Sequence, residues 1–141
     1  MSIPVWALLA FAAWTIAILM IGVGVYRWSL ILTGKAELKS FPGDEPHGAP
    51  LYRRFVRAHA NCVENLPVFA AIVLAEQAAG AHSPTLDALS VAVVAARVVQ
   101  TSAHLSSGSN EAIAVRFTFL CVQLAAFMWM GTLVVLHAAA R

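Results

Sequence analysis

Charged residues are scarce in this chain. Asp, Glu, Lys and Arg make up 11% of its 141 residues, while 60% of the residues are hydrophobic. A soluble domain has roughly 25% charged and about 45–50% apolar residues, and a small domain buries only about two-thirds of the surface that its unfolded chain exposes. One small domain cannot hide so much apolar surface inside itself. The composition excludes a soluble globular protein and predicts that lipid covers the remaining surface.

Cysteine and net charge are also low. The two cysteines, Cys62 and Cys121, are too few for a disulfide-stapled scaffold, and we interpret both as small buried residues of apolar segments. The five histidines do not pair with cysteine or acidic residues at zinc-like intervals, so no metal site is predicted. A formal net charge of +2 does not indicate a nucleic-acid partner.

Long uncharged runs are the strongest positive signal. Residues 2–26 and 117–140 contain no Asp, Glu, Lys or Arg, and two further apolar stretches are interrupted by a few charges. A helix needs about 20 predominantly apolar residues to cross a hydrocarbon core of roughly 30 Å. The sequence therefore predicts an all-α, integral membrane four-helix bundle. Its single domain, residues 1–141, would contain transmembrane helices at approximately 4–32, 51–79, 84–106 and 111–139.

Turn-forming residues separate the predicted helices. Segment 41–50 contains three prolines and two glycines, so it cannot be helical throughout. Gly80 is expected to end the second helix, and Ser83 to cap the third with Pro84 at its first position. Asn110 is predicted to cap the fourth helix. The connections are short enough for an antiparallel bundle.

Basic residues predict the orientation in the membrane. They flank the first and third loops and are absent from the second. Because short cytoplasmic loops carry an excess of Lys and Arg, we expect the first and third loops in the cytoplasm and both termini outside. The first apolar run is longer than the apolar stretch of a signal peptide, which has roughly 7–15 residues, so it is expected to remain as a helix. This makes a multi-pass protein, of the cell membrane if the source is bacterial.

The second helix carries a narrow polar stripe. Arg57, Asn61 and Glu64 stand at i, i+4 and i+7, with Arg54 one turn earlier on the same flank. An ionisable side chain near the middle of a membrane costs at least about 2.5–3.5 kcal/mol and usually faces the protein interior or a water-filled cavity. The stripe therefore predicts a polar site that begins near the cytoplasmic surface.

Two other helices offer polar residues at the same membrane level. The third helix carries Arg97, Gln100, Thr101 and His104 on one face, and the fourth carries Arg116 seven residues before a glutamine. Packed together, the three faces would form a pocket with three arginines and one main carboxylate. Such an excess of cation indicates an anionic ligand, for example one with two carboxylates and an ammonium group.

The same polar residues also have structural interpretations, which the sequence leaves open. Arg53 and Arg54 can be interfacial positive-inside residues, and Glu64 can form a structural ion pair with either Arg57 or Arg97. Gln123 can be an interhelical hydrogen-bonding residue. Glu76 and Asp87 are expected near the outer interface, on a solvated face.

The run from residue 54 to residue 67, Arg-Phe-Val-Arg-Ala-His-Ala-Asn-Cys-Val-Glu-Asn-Leu-Pro, resembles a family signature. The family is that of the membrane-associated proteins in eicosanoid and glutathione metabolism, MAPEG, which includes microsomal glutathione transferases, leukotriene synthase and prostaglandin synthase. The arginines, the asparagine and the glutamate match its pattern without a gap. The similarity extends to the chain length, the long first loop and an arginine in each of the third and fourth helices.

The resemblance implies a homotrimer with three glutathione sites between neighbouring subunits, open to the cytoplasm. Glutathione would be the cosubstrate, and a lipophilic small molecule would arrive from the bilayer lipid. Arg116 would stabilise the glutathione thiolate. The residues expected to bind glutathione are Lys35, Arg54, Arg57, His59, Asn61, Glu64, Arg97, Gln100 and His104.

The chain also departs from some relatives. Family enzymes often carry tyrosines where this chain has Gln100 and His104, and the prostaglandin synthases have arginine and serine at the positions of Ala60 and Phe117. The sequence therefore predicts a membrane-bound glutathione transferase, with or without peroxidase activity, rather than a prostaglandin isomerase. A non-catalytic lipid- or thiol-binding scaffold of the same family is the alternative, and an ion-coupled transporter with Glu64 as proton carrier is a third class.

Overall fold

Four long helices make up the structure. The computed structural model describes residues 1–41 and 48–140. Within these residues there is no strand, and each of the four helices is long and apolar enough to cross a membrane. This confirms the predicted all-α, four-helix membrane fold. The helices are α1 (Ile3–Leu32), α2 (Pro50–Ala79), α3 (Pro84–Ser106) and α4 (Asn110–Ala139).

Consecutive helices run antiparallel. Arg54, near the start of α2, contacts the last residues of α3, and Gln100, near the end of α3, contacts Arg116 near the start of α4. We call the end of the bundle with residues 33–41, 48–49 and 107–109 the basic end, and the end with residues 1–2, 80–83 and 140 the terminal end. Residues 42–47, which hold two of the three prolines of the predicted first loop, lie outside the described residues.

Local turn chemistry fixes the helix ends. Gly80 ends α2 in the left-handed conformation with φ of 60°, as expected for a residue without a Cβ. Ser83 Oγ accepts a hydrogen bond from the Leu86 N–H at 3.2 Å, which confirms the predicted cap of α3. The predicted cap of α4 is wrong. Ser109 Oγ accepts from the Ala112 N–H at 3.3 Å, and Asn110 is the first helical residue.

The first helix contains a π-helical segment, Ile18–Gly24. Nothing in its uninterrupted apolar run indicated one. The segment lies at a close approach of α1 to α2, because a Cβ built on Gly22 would overlap the ring of Phe55. A glycine is therefore required at this crossing, and the π turn brings it against the ring.

Aromatic rings fill the middle of the bundle and join three helices. The rings of Phe11 in α1 and Phe69 in α2 have centroids 5.9 Å apart, and Phe69 is stacked at 5.9 Å on Phe127 of α4. Val93 of α3 and Met130 of α4 are fully buried beside them. This apolar layer separates the polar side chains near the basic end from those near the terminal end.

Arg54 closes the end of α3. Its Nη1 donates to the backbone oxygens of Leu105 and Ser106 at 3.3 and 3.2 Å. The last carbonyls of a helix have no partner within the helix and carry partial negative charge, so a guanidinium there satisfies both needs. The arginine thus holds the start of α2 against the end of α3.

Replacing Arg54 should destabilise the fold. We expect Arg54→Ala to lower the free energy of unfolding by about 1 kcal/mol, because the α3 carbonyls lose a charged donor. Thermal unfolding in detergent measures this. Arg53→Ala is the matched control, since the Arg53 side chain is exposed and makes no hydrogen bond or ion pair in the described residues. Equal effects of the two changes would contradict the capping role.

Gly22 should not tolerate a side chain. Gly22→Ala must displace the Phe55 ring, and overpacking of this kind costs about 1–3 kcal/mol. Gly24→Ala is the matched control in the same π segment, because its Cβ would meet only the Leu19 carbonyl oxygen at 3.4 Å, an ordinary contact. A melting temperature of Gly22→Ala as high as that of Gly24→Ala would rule out the close crossing.

Candidate functional site

A buried arginine organises the polar half of the bundle. Arg97 is 1% exposed, and its Nη1 donates to Asn61 Oδ1 at 3.0 Å and to Gln100 Oε1 at 2.8 Å. The guanidinium carbon lies 5.0 Å from the centroid of the Phe11 ring. Its Nε and Nη2 are buried and have no hydrogen-bond partner in the described chain. The charge is therefore held by amide oxygens and a ring face, with donors left over.

Gln100 links α3 to α4 and is 2% exposed. Its Oε1 accepts from Gln123 Nε2 at 3.1 Å as well as from Arg97, and its Nε2 donates to the Arg116 backbone oxygen at 3.1 Å. The amide uses both of its polar atoms inside the bundle, so a direct contact with a ligand would require an existing bond to break. Gln123 has the interhelical role that the sequence left open.

Arg116 lies next to His104 in a half-buried position. Arg116 Nη1 and His104 Nδ1 are 3.1 Å apart, and Arg116 Nε donates to the Ala112 backbone oxygen at 3.2 Å. Because a guanidinium has only donors, His104 Nδ1 is the acceptor. The predicted α3 and α4 residues are thus brought together in one connected group.

Arg57 and Glu64 lie on an exposed face of α2. In the described residues the one ion pair joins Lys39 to Glu37 at 2.8 Å. The two structural ion pairs considered for Glu64, with Arg57 and with Arg97, are therefore absent. Both charges of the stripe remain available, and Asn61 between them connects the stripe to the buried arginine.

Three other predicted residues have separate surroundings. His59 Nδ1 lies 3.3 Å from the Thr15 backbone oxygen of α1, and Arg54 caps α3. Lys35 is exposed just beyond the end of α1. None of the three shares a hydrogen bond with Arg97 or Arg116 in the described part of the chain.

Sequence reasoning missed the contribution of α1. Phe11 faces the Arg97 guanidinium, and Trp14 Nε1 donates to Thr101 Oγ1 at 3.3 Å. In the structure the buried residues Phe11, Thr15, Ile18 and Gly22 recur at spacings of four, three and four, the period of one helix face. A run that is apolar on all sides conceals such a face.

Glu76 also differs from expectation. It was predicted on a solvated face, but it is 1% exposed, and its Oε2 has no hydrogen-bond partner in residues 1–41 and 48–140. The turn after α2 is closed at this residue, where the N–H of the buried Ala81 donates to the Glu76 backbone oxygen at 3.1 Å. This residue lies at the terminal end, away from the arginine group.

The remaining candidate chemistry is limited. Cys62 is buried and Cys121 exposed, and both are free thiols, so the prediction that Cys121 is buried is wrong for the single chain. In the part of the chain that the structure describes, no three His, Cys, Asp or Glu side chains are grouped to hold a metal ion.

Two of the apolar grooves on the helix surface are lined by described residues of α1 and its neighbours. One, of about 340 Å³, lies near the basic end between α1 and α2, against Gly22, Val25 and Phe55. The other, of about 380 Å³, lies between the first half of α1 and α3, against Trp6 and Val94. Both are of a size that accommodates part of a lipophilic molecule.

Comparison with known proteins identifies the family of the chain. The model of the MAPEG family matches residues 4–136, nearly the whole chain. A comparison with individual curated proteins gave no match. The match includes the α2 stripe and the arginines of α3 and α4. The chain is an integral, multi-pass membrane protein and belongs to the MAPEG family, the membrane-associated proteins in eicosanoid and glutathione metabolism.

Proposed function

We propose that the protein is a membrane-bound glutathione transferase, which joins the glutathione thiolate to lipophilic electrophiles. One observation carries the proposal. In the described residues, no carboxylate forms an ion pair with Arg57, Arg97 or Arg116. Glu64, which lies on the same α2 stripe as Arg57, also forms no ion pair. Unpaired cations in and beside a membrane bundle require anions, so an acidic ligand supplies what the chain lacks.

Glutathione fits this set of donors and acceptors. It has two carboxylates, one ammonium group and a thiol. Arg57 and Glu64 are two helical turns apart, about 10 Å along α2, and can bind a carboxylate and the ammonium group respectively. Asn61 between them can donate to a peptide carbonyl of the ligand while Arg97 holds its Oδ1. In this proposal Arg97 and Gln100 position other site residues: Arg97 holds Asn61, and Gln100 binds the Arg116 backbone oxygen.

Arg116 is proposed to stabilise the thiolate. A thiol has a pKa of about 8.5 and is mostly protonated at neutral pH, so a cation beside the sulfur raises the fraction of nucleophile. A guanidinium does not lose its proton, which suits it to this task. The thiolate then attacks the electrophilic carbon, the new sulfur–carbon bond forms, and the leaving group departs with its electron pair.

The membrane location fits the second substrate. Lipophilic electrophiles concentrate in the bilayer, and the apolar grooves open toward it. Arg57 and Glu64 are exposed on the single chain. A neighbouring copy would close the site over them, in agreement with the homotrimer and intersubunit sites that family resemblance implies. We also propose that the basic end, and therefore the site, faces the cytoplasm.

Glutathione should stabilise the detergent-solubilised protein, and this depends on Arg57. A ligand at 100 times its dissociation constant adds about 2.7 kcal/mol to the free energy of unfolding, which raises the melting temperature. We expect Arg57→Ala to weaken binding by about 10- to 100-fold, through loss of a charge-assisted contact, and to remove most of the shift.

Arg53→Ala is the matched control for Arg57→Ala. Both residues are exposed arginines of the same helix, and Arg53 lies one turn before Arg57 on the same face, farther from Asn61 and Glu64. It should retain the wild-type shift. If both variants keep the shift, or if glutathione gives none with wild type, the α2 stripe does not bind glutathione.

Arg116→Leu should impair the chemical step. With a chlorinated aromatic acceptor, we expect kcat to fall by about 100- to 1,000-fold, as when one preorganised donor to a developing anion is removed, with a smaller change in the KM for glutathione. The ultraviolet absorbance of bound thiolate should disappear in parallel. Glu111→Gln, an exposed change at the start of the same helix, is the control. Turnover by Arg116→Leu at the wild-type rate would refute the assignment.

A non-catalytic glutathione- or lipid-binding protein is the second candidate. It is favoured by Gln100, whose amide is occupied inside the bundle where family enzymes often have a tyrosine. Calorimetric binding of glutathione without turnover of any electrophile or hydroperoxide would select this function. Hydroperoxide reduction without conjugation would select a peroxidase.

A further inference from the structure

The guanidinium of Arg116 is held by one side chain. Its Nε is bound to the Ala112 backbone oxygen, four residues earlier on α4, and its Nη1 is bound to His104 of α3. The structure records no hydrogen bond of Nη2 within residues 1–41 and 48–140. The backbone contact anchors the near end of the guanidinium, and the imidazole contact fixes the rotation of its plane.

The contact defines the state of the imidazole. Arg116 can only donate, so His104 Nδ1 must carry a lone pair, and the ring proton must be on Nε2. A ring protonated on both nitrogens would lose its acceptor and bring a second positive charge next to Arg116. The observed geometry therefore requires the neutral imidazole with Nε2–H.

We propose that His104 is a positioning residue, which accepts a hydrogen bond from Arg116 through Nδ1 and so directs the Nη2 donors of Arg116 toward the glutathione sulfur. This inference rests on the proposed transferase function. A long arginine side chain has many rotamers, and one fixed orientation makes the donors available at the sulfur without rearrangement. His104 thus acts through Arg116 and is not itself assigned a contact with the thiol.

The surrounding contacts separate this role from helix packing. The interface between α3 and α4 is already stabilised by Gln100, which forms hydrogen bonds with the Arg116 backbone oxygen and with Gln123. The His104 bond ends on the guanidinium instead of on the backbone. Loss of the His104 hydrogen bond should therefore change the orientation of the Arg116 guanidinium more than it changes the stability of the bundle.

Two amide replacements of His104 give a matched test. The Oδ1 of His104→Asn lies near the position of Nδ1, whereas the Oε1 of His104→Gln lies near the position of Nε2. We expect His104→Asn to keep most of the thiolate absorbance and kcat. His104→Gln should lose about 10- to 100-fold in kcat, the effect of a small misplacement of a catalytic group, with the KM for glutathione within about twofold of wild type.

Melting temperatures make the comparison interpretable. Both variants should unfold within a few degrees of wild type and of each other. Equal activity of the Asn and Gln variants overturns the positioning role, and so does a loss of activity that follows a loss of stability. The measurements use the full chain in detergent or lipid nanodiscs.

A spectroscopic measurement tests the contact without activity. The ¹⁵N spectrum of the His104 ring should show a proton on Nε2 and none on Nδ1, and the Nδ1 signal should shift in Arg116→Leu. A protonated Nδ1, or a signal unaffected by Arg116→Leu, overturns the inference. If the contact is found but wild type forms no thiolate with glutathione, then the proposed function fails, and the positioning role in this reaction is rejected with it.

Discussion

The structure depends on a guanidinium buried without a carboxylate. Arg97 is 1% exposed, and its charge is stabilised by the amide oxygens of Asn61 and Gln100 and by the Phe11 ring. These partners come from α2, α3 itself and α1, and Gln100 extends the set to α4. Contacts of this one charge with three helices, extended to α4 through Gln100, fix the relative positions of the bundle, because a shift of α1 or α2 removes a partner of the guanidinium.

This arrangement keeps the positive charge uncompensated. An acidic partner for Arg97 would neutralise the site, whereas amide oxygens hold the guanidinium in place and leave its charge available to attract an anion. The charge of Arg116 is also not neutralised, since its guanidinium is bound to a backbone carbonyl and a neutral imidazole. The bundle therefore maintains a positive region near one membrane face. Glu64, which forms no ion pair in the described residues, adds a carboxylate for a ligand that also carries an ammonium group.

Much of the fold, but less of the site, could be predicted from the sequence. Apolar runs set the four helices, and turn residues such as Gly80 and Ser83 set their ends, because these signals are local. Side-chain partners are not local. The cap formed by Arg54 on α3, the burial of Glu76 and the ring of Phe11 over Arg97 each depend on how helices pack. Periodicity placed the polar residues on common faces but did not separate those that support the site from those that remain exposed.

The most direct test of the charge arrangement compares glutathione with its analogue that lacks the amino group, in wild type and in Glu64→Gln. Calorimetry measures the affinity of each of the two ligands for each of the two proteins. The thermodynamic cycle built from these four affinities isolates the interaction between the ligand's ammonium group and the Glu64 carboxylate. If Glu64 complements the arginine-rich site as proposed, removal of the amino group weakens binding to wild type by about tenfold or more and barely affects Glu64→Gln. Equal weakening in both proteins, or no binding of glutathione to either, would contradict the account.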